Sequence, residues 1–401
     1  MAFYQNGLYL TDPTATRAGF VLSRWLFEWL TQVVGWTAHD TQTSKWTDVE
    51  ASGTGATAGA TTADSTKIDM SSSGRSWTAS DIAKYITITG LTTTLRDGVY
   101  RIKNVEASDI VVLDTKRGVH EDGLPNSETF DWRLWSFNTT YTPGNDEWAV
   151  VRGTYSHTPA EPNFDVRIEA DASEAGVPNV AIGPFGTWNN STHAWADSRN
   201  TSQLATDSGG DVGEYVWAYA DENHAIIFYG TLYGTSYLLA PRIIYLGEVT
   251  VPNTTVDPNP GIIIQSYRLN TTQLIQSELW RNFIGIDGSR SRWMSKLPAN
   301  NTEVQGYFQT PAQAADSSSW WELMRGQNRR YTEWSKGIYR MDMQLECRTA
   351  GHMEHRGILK DLWVSGSYLQ PVMPFGASHE FINLCGGFSM PWNGSRSHVQ
   401  F

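Results

Sequence analysis

Short runs in which apolar and polar residues alternate, cut off by glycine or Asp-Gly, are the feature that most limits what this chain can become. In the stretch "SDIAKYITITGLTTTLRDGVYRIKNV" (80–105), alternation runs through Tyr85, Ile86, Thr87, Ile88 and Thr89 and stops at Gly90. It resumes through Val99, Tyr100, Arg101, Ile102 and Lys103 after Asp97-Gly98. A period of two places successive side chains on opposite faces of a strand, so each run predicts one buried face and one wet face. The residues between the runs include no nucleophile, metal ligand or phosphate cradle, so the stretch reads as architecture.

The same signal recurs along the chain. "DIVVLD" and "FDWRLWSF" complete a first β-block. "EWAVVRGTY", "FDVRIEA", "EYVWAYA", "HAIIFYGTL" and "PRIIYLGEV" form a second. After the Pro/Asn-rich "VPNTTVDPNPG", which reads as a linker, a third block carries "GIIIQSY", "GIYRMDMQLECR", "GILKDLWVSG" and "HEFINLCGGF". Residues 51–76 are mostly Gly, Ala, Ser and Thr and predict a long loop or hairpin excursion. Near the start, Val21, Leu22, Trp25, Leu26, Trp29, Leu30, Val33 and Val34 recur at helical spacing, and Gly35 suits a left-handed cap. This helix packs on its own domain or docks on a neighbouring subunit.

The expected fold is mainly β, with several small sandwich-like or barrel-like domains and one N-terminal amphipathic helix. The expected segments are an arm and helix over 1–45, a small β-domain over 46–140, a second β-domain with a long polar loop over 141–254, and a C-terminal β-domain over 255–401. A length of 401 residues agrees with several domains of roughly 100–200 residues each.

A net charge of −12 without clustered Lys and Arg argues against nucleic acid as a partner. With 18 Trp, 17 Tyr and 14 Phe, the chain is rich in side chains that either fill the cores of large β proteins or anchor interfaces. Two cysteines, Cys347 and Cys385, allow one bridge but no disulfide framework. No window reaches the roughly 18 apolar residues of a membrane span, and the first residues lack a basic-then-apolar leader, so a soluble chain made in a cytosol is expected.

Candidate chemistry is sparse. No Gly-rich turn leads into a helix as a nucleotide site requires, and the Gly-x-Ser-x-Gly elbow of hydrolases is missing. "CRTAGHMEHRG" gathers Cys347, His352, Glu354 and His355 at spacings that match no zinc signature, and "DSGGDVGE" (207–214) lacks the calcium-loop pattern. No catalytic, cofactor or metal residue is therefore assigned. The polar stretch "TWNNSTHAWADSRNTSQLATDSGG" (187–210) is expected to be a long loop that orders against an adjacent subunit. The interface candidates are Trp188, His193, Trp195 and Arg199 within it, together with Trp25 and Trp29 on the helix.

The helix ending in "VVGWTAHD", the pair "WTASDIAKYITITG" and "DGVYRIKNV", the closing "DIVVLD" and then "FDWRLWSF" resemble phrases of tailed-bacteriophage structural proteins of the tail tip and baseplate. "HAIIFYGTLYGTSYLLAPRIIYLGEV" and "HRGILKDLWVSG" also look like phrases of those proteins. Ala83 stands where Gly is common in the Gly-Lys-Tyr-like strand of that family. The resemblance implies a virion protein assembled in the host cytoplasm, which makes symmetric contacts with itself and with neighbouring tail proteins. It supplies no catalytic residues. The alternatives are a glycan-binding or glycan-cleaving tail appendage, on the strength of the Trp-rich stretch and many acidic residues, and a neck, collar or head-decoration protein.

Overall fold

In the computed structural model the described residues are 4–10, 15–62, 65–92, 97–114, 127–135, 147–156, 163–171, 179–205, 214–233 and 237–250, and beyond these the backbone of strands between 261 and 392. The protein is mainly β, as the alternation predicts. Strand β1 (Tyr4–Leu10) precedes helix α1 (Ala15–Glu28). The helix widens into a π-helical run (Trp29–Val34) and stops at Gly35, whose φ of +92° is the left-handed cap expected there.

Strand β2 (Thr37–Thr41) follows, and then β3 (Ala51–Thr62), β4 (Ser65–Asp69), β5 (Tyr85–Thr89), β6 (Gly98–Ala107), β7 (Ile110–Asp114) and β8 (Thr129–Trp135) close into a barrel in the order β3-β4-β7-β6-β5-β8. The Gly/Ala/Ser/Thr-rich excursion is the β3–β4 hairpin of this barrel. Closure leaves no free edge. Inside lie Ile68, Met70, Trp77, Ile86, Ile88, Tyr100, Ile102, Val111, Leu113, Phe130, Trp132 and Leu134.

Strands β9 (Glu147–Thr154), β10 (Asn163–Asp171), β11 (Asn179–Asn189) and β12 (Ala194–Ala205) form a curled five-stranded sheet with β2, in the order β12-β11-β10-β9-β2. A third sheet of thirteen strands starts at β1 and runs through β13 (Glu214–Ala220), β14 (His224–Tyr233) and β15 (Tyr237–Thr250). It continues through β16 (Gly261–Ser266), β17 (Phe283–Ile286), β18 (Ser291–Lys296), β19 (Glu303–Gln309), β20 (Ile338–Cys347) and β21 (His352–Ser365). It ends with β22 (Pro371–Val372), β23 (Glu380–Cys385) and β24 (Phe388–Trp392), in the order β21-β24-β23-β22. The first 45 residues thus contribute β1 to one sheet and β2 to another, and the large sheet pairs β15, which ends at Thr250, with β16, which starts at Gly261.

Helix α1 is the hub of these parts. One continuous core gathers Leu22, Trp25, Leu26, Trp29, Leu30 and Val33 with Tyr85, Val99 and Trp135 from the outer wall of the barrel. The same core takes Val151, Phe164, Val166, Ile168 and Ile182 from the five-stranded sheet, and Ala218, Ala220, Ile227 and Leu246 from the large sheet. Trp25 and Trp29 have no exposed surface and stack on each other at 5.7 Å. That burial removes both as surface anchors and assigns the helix to its own chain. An apolar stripe surrounded by three β surfaces gains more by burial on all sides than by waiting for a partner.

The same packing corrects the expectation for the "YITIT" strand. Tyr85, Ile86, Thr87 and Ile88 are all buried, because the face expected to be wet lies under the helix. There Tyr85 stacks on Trp135 at 4.7 Å, the Trp135 indole donates to Thr87 Oγ1 at 3.0 Å, and Thr87 Oγ1 donates to Glu28 Oε1 at 3.2 Å. Glu28 also pairs with Arg24 and Arg133, each at 3.4 Å, and Arg24 lies over the Trp135 ring. Burial, partly offset by Glu28, lowers the Arg24 pKa to about 10. The seam between barrel and helix is therefore polar at its centre and aromatic around it.

Candidate interaction surface

The stretch expected to be a long polar loop is the β11–β12 hairpin, with register running from Asn179↔Ala205 to Asn189↔Ala194. Its many Asn, Ser and Thr supply turn chemistry. Asn189 Oδ1 accepts from Ser191 N at 2.9 Å and from Thr192 N at 3.3 Å, and His193 takes a φ of +49°. The hairpin tip folds onto its own chain, so no neighbouring subunit is needed to order it.

Two strands, β10 and β9, separate β11 from β2 in the sheet, yet the tip reaches β2. The Trp188 indole donates to Asp40 Oδ2 at 2.7 Å, His193 Nδ1 lies 2.8 Å from the same oxygen, and Asn190 Nδ2 donates to His39 O at 2.9 Å. Such contacts require the sheet to curl until its far strand overhangs its edge. Burial alone would raise the Asp40 pKa, but hydrogen bonds from Trp188 and His193, together with the His193 charge, hold it below the ordinary carboxylate value. Burial lowers the His39 pKa, helped by Arg152 and opposed by Asp165.

Beneath the tip, Asp165 is almost fully buried. It accepts two bonds from Arg152, at 2.7 and 2.9 Å, and one from Trp188 N at 2.7 Å. Arg167 pairs with Glu169 on the same strand. Trp148, Trp188 and Trp195 then form a ladder of edge-to-face rings with both centroid spacings at 5.1 Å, and His193 tilts against Trp148 at 6.2 Å. Trp188 in the middle is buried, Trp148 and Trp195 are half-buried, and the His193 side chain is 61% exposed.

The structure therefore brings Trp188, His193 and Trp195 together, and it places Trp25 and Trp29 in the interior. Arg199 sits on β12 at the register shift between Ser198↔Gly186 and Asn200↔Phe185, and its side chain lies outside the described residues. Sequence reasoning missed Trp148, Asp40, His39 and Asn190. Alternation in "EWAVVRGT" puts Trp148 on the face of Val150 and Arg152, which was a usable signal, whereas the approach of β2 depends on the curl alone.

Among the described residues no three His, Cys, Asp or Glu side chains are grouped as metal ligands. Cys347 and His352 are cross-strand partners at the ends of β20 and β21, and their side chains lie outside the described residues, as do Asp207 and Asp211. Among the described residues no helix is long and apolar enough to cross a membrane. No protein-family model matches the chain, and no curated protein or solved structure shows significant similarity to it.

Proposed function

We propose that the protein is a structural component of a tailed-bacteriophage particle, placed at the tail tip or baseplate, where it contacts copies of itself and neighbouring tail proteins. The observation that carries this reading is that the helix phrase and the barrel phrases behind the family resemblance pack against each other. The helix running into Gly35-Trp36 packs directly against the barrel built from "YITIT", "GVYRIKNVEA", "IVVLD" and "TFDWRLW". Strands β1 and β22 end the large sheet, and an edge strand is where the backbone of a further chain can add. With the hairpin and the helix both committed to the chain's own core, contacts along sheet edges are the means of assembly in this reading.

Mass spectrometry and immunogold labelling of purified particles test it. The expected result is a fixed copy number per particle and label confined to the distal end of the tail. Intact tailed particles that lack the chain would overturn the reading.

A further inference from the structure

We infer that the curled five-stranded sheet carries a binding site for a neutral oligosaccharide, built on the Trp148–Trp188–Trp195 ladder. The inference stands independently of the particle reading, since it rests only on the chemistry of this face.

The middle ring of the ladder is held in place before any ligand arrives. The backbone N–H of Trp188 is held by Asp165 and its indole N–H by Asp40, so the middle ring is fixed from both ends. The flanking rings Trp148 and Trp195 stand on strands β9 and β12 and keep part of their surface in water. Partly wet, pre-ordered indoles lose little rotamer entropy on binding and offer flat apolar surface for the C–H faces of a ring ligand. The rim supplies hydrogen-bonding groups. With Nδ1 turned to Asp40, the exposed His193 ring presents Nε2 outward, and Asn190, Ser191 and Thr192 lie exposed at the tip. Flat apolar faces edged by hydrogen-bonding groups match a ligand whose rings are apolar on their faces and hydroxylated around their edges.

Charge selects among such ligands. Arg152 is bound by Asp165 and Arg167 by Glu169, so these two guanidinium groups are neutralised within the face, and the Asp40 carboxylate stands at its edge. Single-stranded nucleic acid also stacks on aromatic ladders, but it needs a basic groove for its phosphates. The chain's net charge of −12 and the pairing of these arginines oppose that. The same argument disfavours acidic glycans. A neutral saccharide is the ligand that matches both the rings and the charge.

Isothermal titration of the full chain with maltohexaose, cellohexaose and chitohexaose, and with an oligogalacturonate of equal length as the acidic probe, tests the inference. Saturable binding is expected for at least one neutral hexasaccharide, and at least tenfold weaker binding for the acidic one. Trp148→Ala and Trp195→Ala should each weaken the neutral ligand at least tenfold while leaving the melting temperature within a few degrees. If either variant unfolds, amide hydrogen exchange on the unaltered chain decides. Ligand-induced protection confined to residues 39–42, 147–149 and 187–196 supports the site, and protection elsewhere overturns it. Binding of none of the neutral probes, or preference for the acidic one, would overturn it. So would self-association that buries Trp148 and Trp195, which would make the face a contact between copies of the chain.

Discussion

Ala83 occupies a turn with φ of +70°, and its N–H donates to Ile102 O at 2.9 Å. Left-handed backbone costs a Cβ-bearing residue about 1–2 kcal/mol, and glycine escapes that cost but loses more chain entropy on folding. Ala83→Gly should therefore stabilise the protein by about 0.5–1 kcal/mol, read as a higher urea midpoint at an unchanged slope. Position 83 is thus one where the backbone favours glycine. Asp97 gives a second residue-scale test. Burial pushes its carboxyl up to about 6, with the Glu128 charge adding to the effect, although Gly90 N and Leu91 N each donate to it at 3.0 Å. The folded chain then holds this proton more tightly than the unfolded chain. The contribution to stability is full below about pH 4 and is lost as the pH rises through about 6. Asp97→Asn should remove that dependence, so its stability relative to the unaltered chain should rise by up to about 3 kcal/mol between pH 4 and pH 7. Parallel urea titrations at pH 4, 5, 6 and 7 would check it, and a constant difference between the two proteins would contradict it.

At the scale of elements, the helix was legible because a stripe at spacings of three and four has no other use, and its Gly35 stop because a left-handed cap favours glycine. The barrel strands were legible from alternation. Their outer wall was not, since Tyr85, Thr87 and Trp135 look like any wet face until a helix covers them. In the sequence the hairpin looks like a loop because polarity in "NNSTH" marks a turn without showing that strands flank it, and because bulges at Ile182/Phe185 and Thr187/Trp188 break the alternation that announces a strand. The candidate surface was half legible: the indoles could be found by inspection, but Asp40 reaches them only through the curl of the sheet. Trp29→Ala tests the helix assignment. Removing a fully buried indole from the shared core should cost about 3–5 kcal/mol in the isolated chain, measured by urea denaturation. An unchanged midpoint would return the helix to a docking role.

For the whole molecule, the shared core joins helix, barrel and both other sheets, so these parts should unfold together despite the barrel's separate interior. Far-ultraviolet circular dichroism and tryptophan fluorescence should follow a single coincident transition. A first transition confined to the barrel would mean that the polar seam at Glu28, Arg24 and Arg133 holds the modules more loosely than their burial implies. Trp36, just beyond the helix, meets Phe164 edge to face at 5.2 Å, and its indole donates to Asp221 O at 2.9 Å, across 185 residues of chain. At ordinary rates of synthesis of about 5–20 residues per second, roughly 10–40 s separate the appearance of these two partners. Throughout that interval the helix stripe waits for strands that do not yet exist. A hub that meets a partner 185 residues downstream is thus made long before it can be enclosed, and its apolar stripe stays open to chaperones for longer than in a chain of the same stability whose contacts are local.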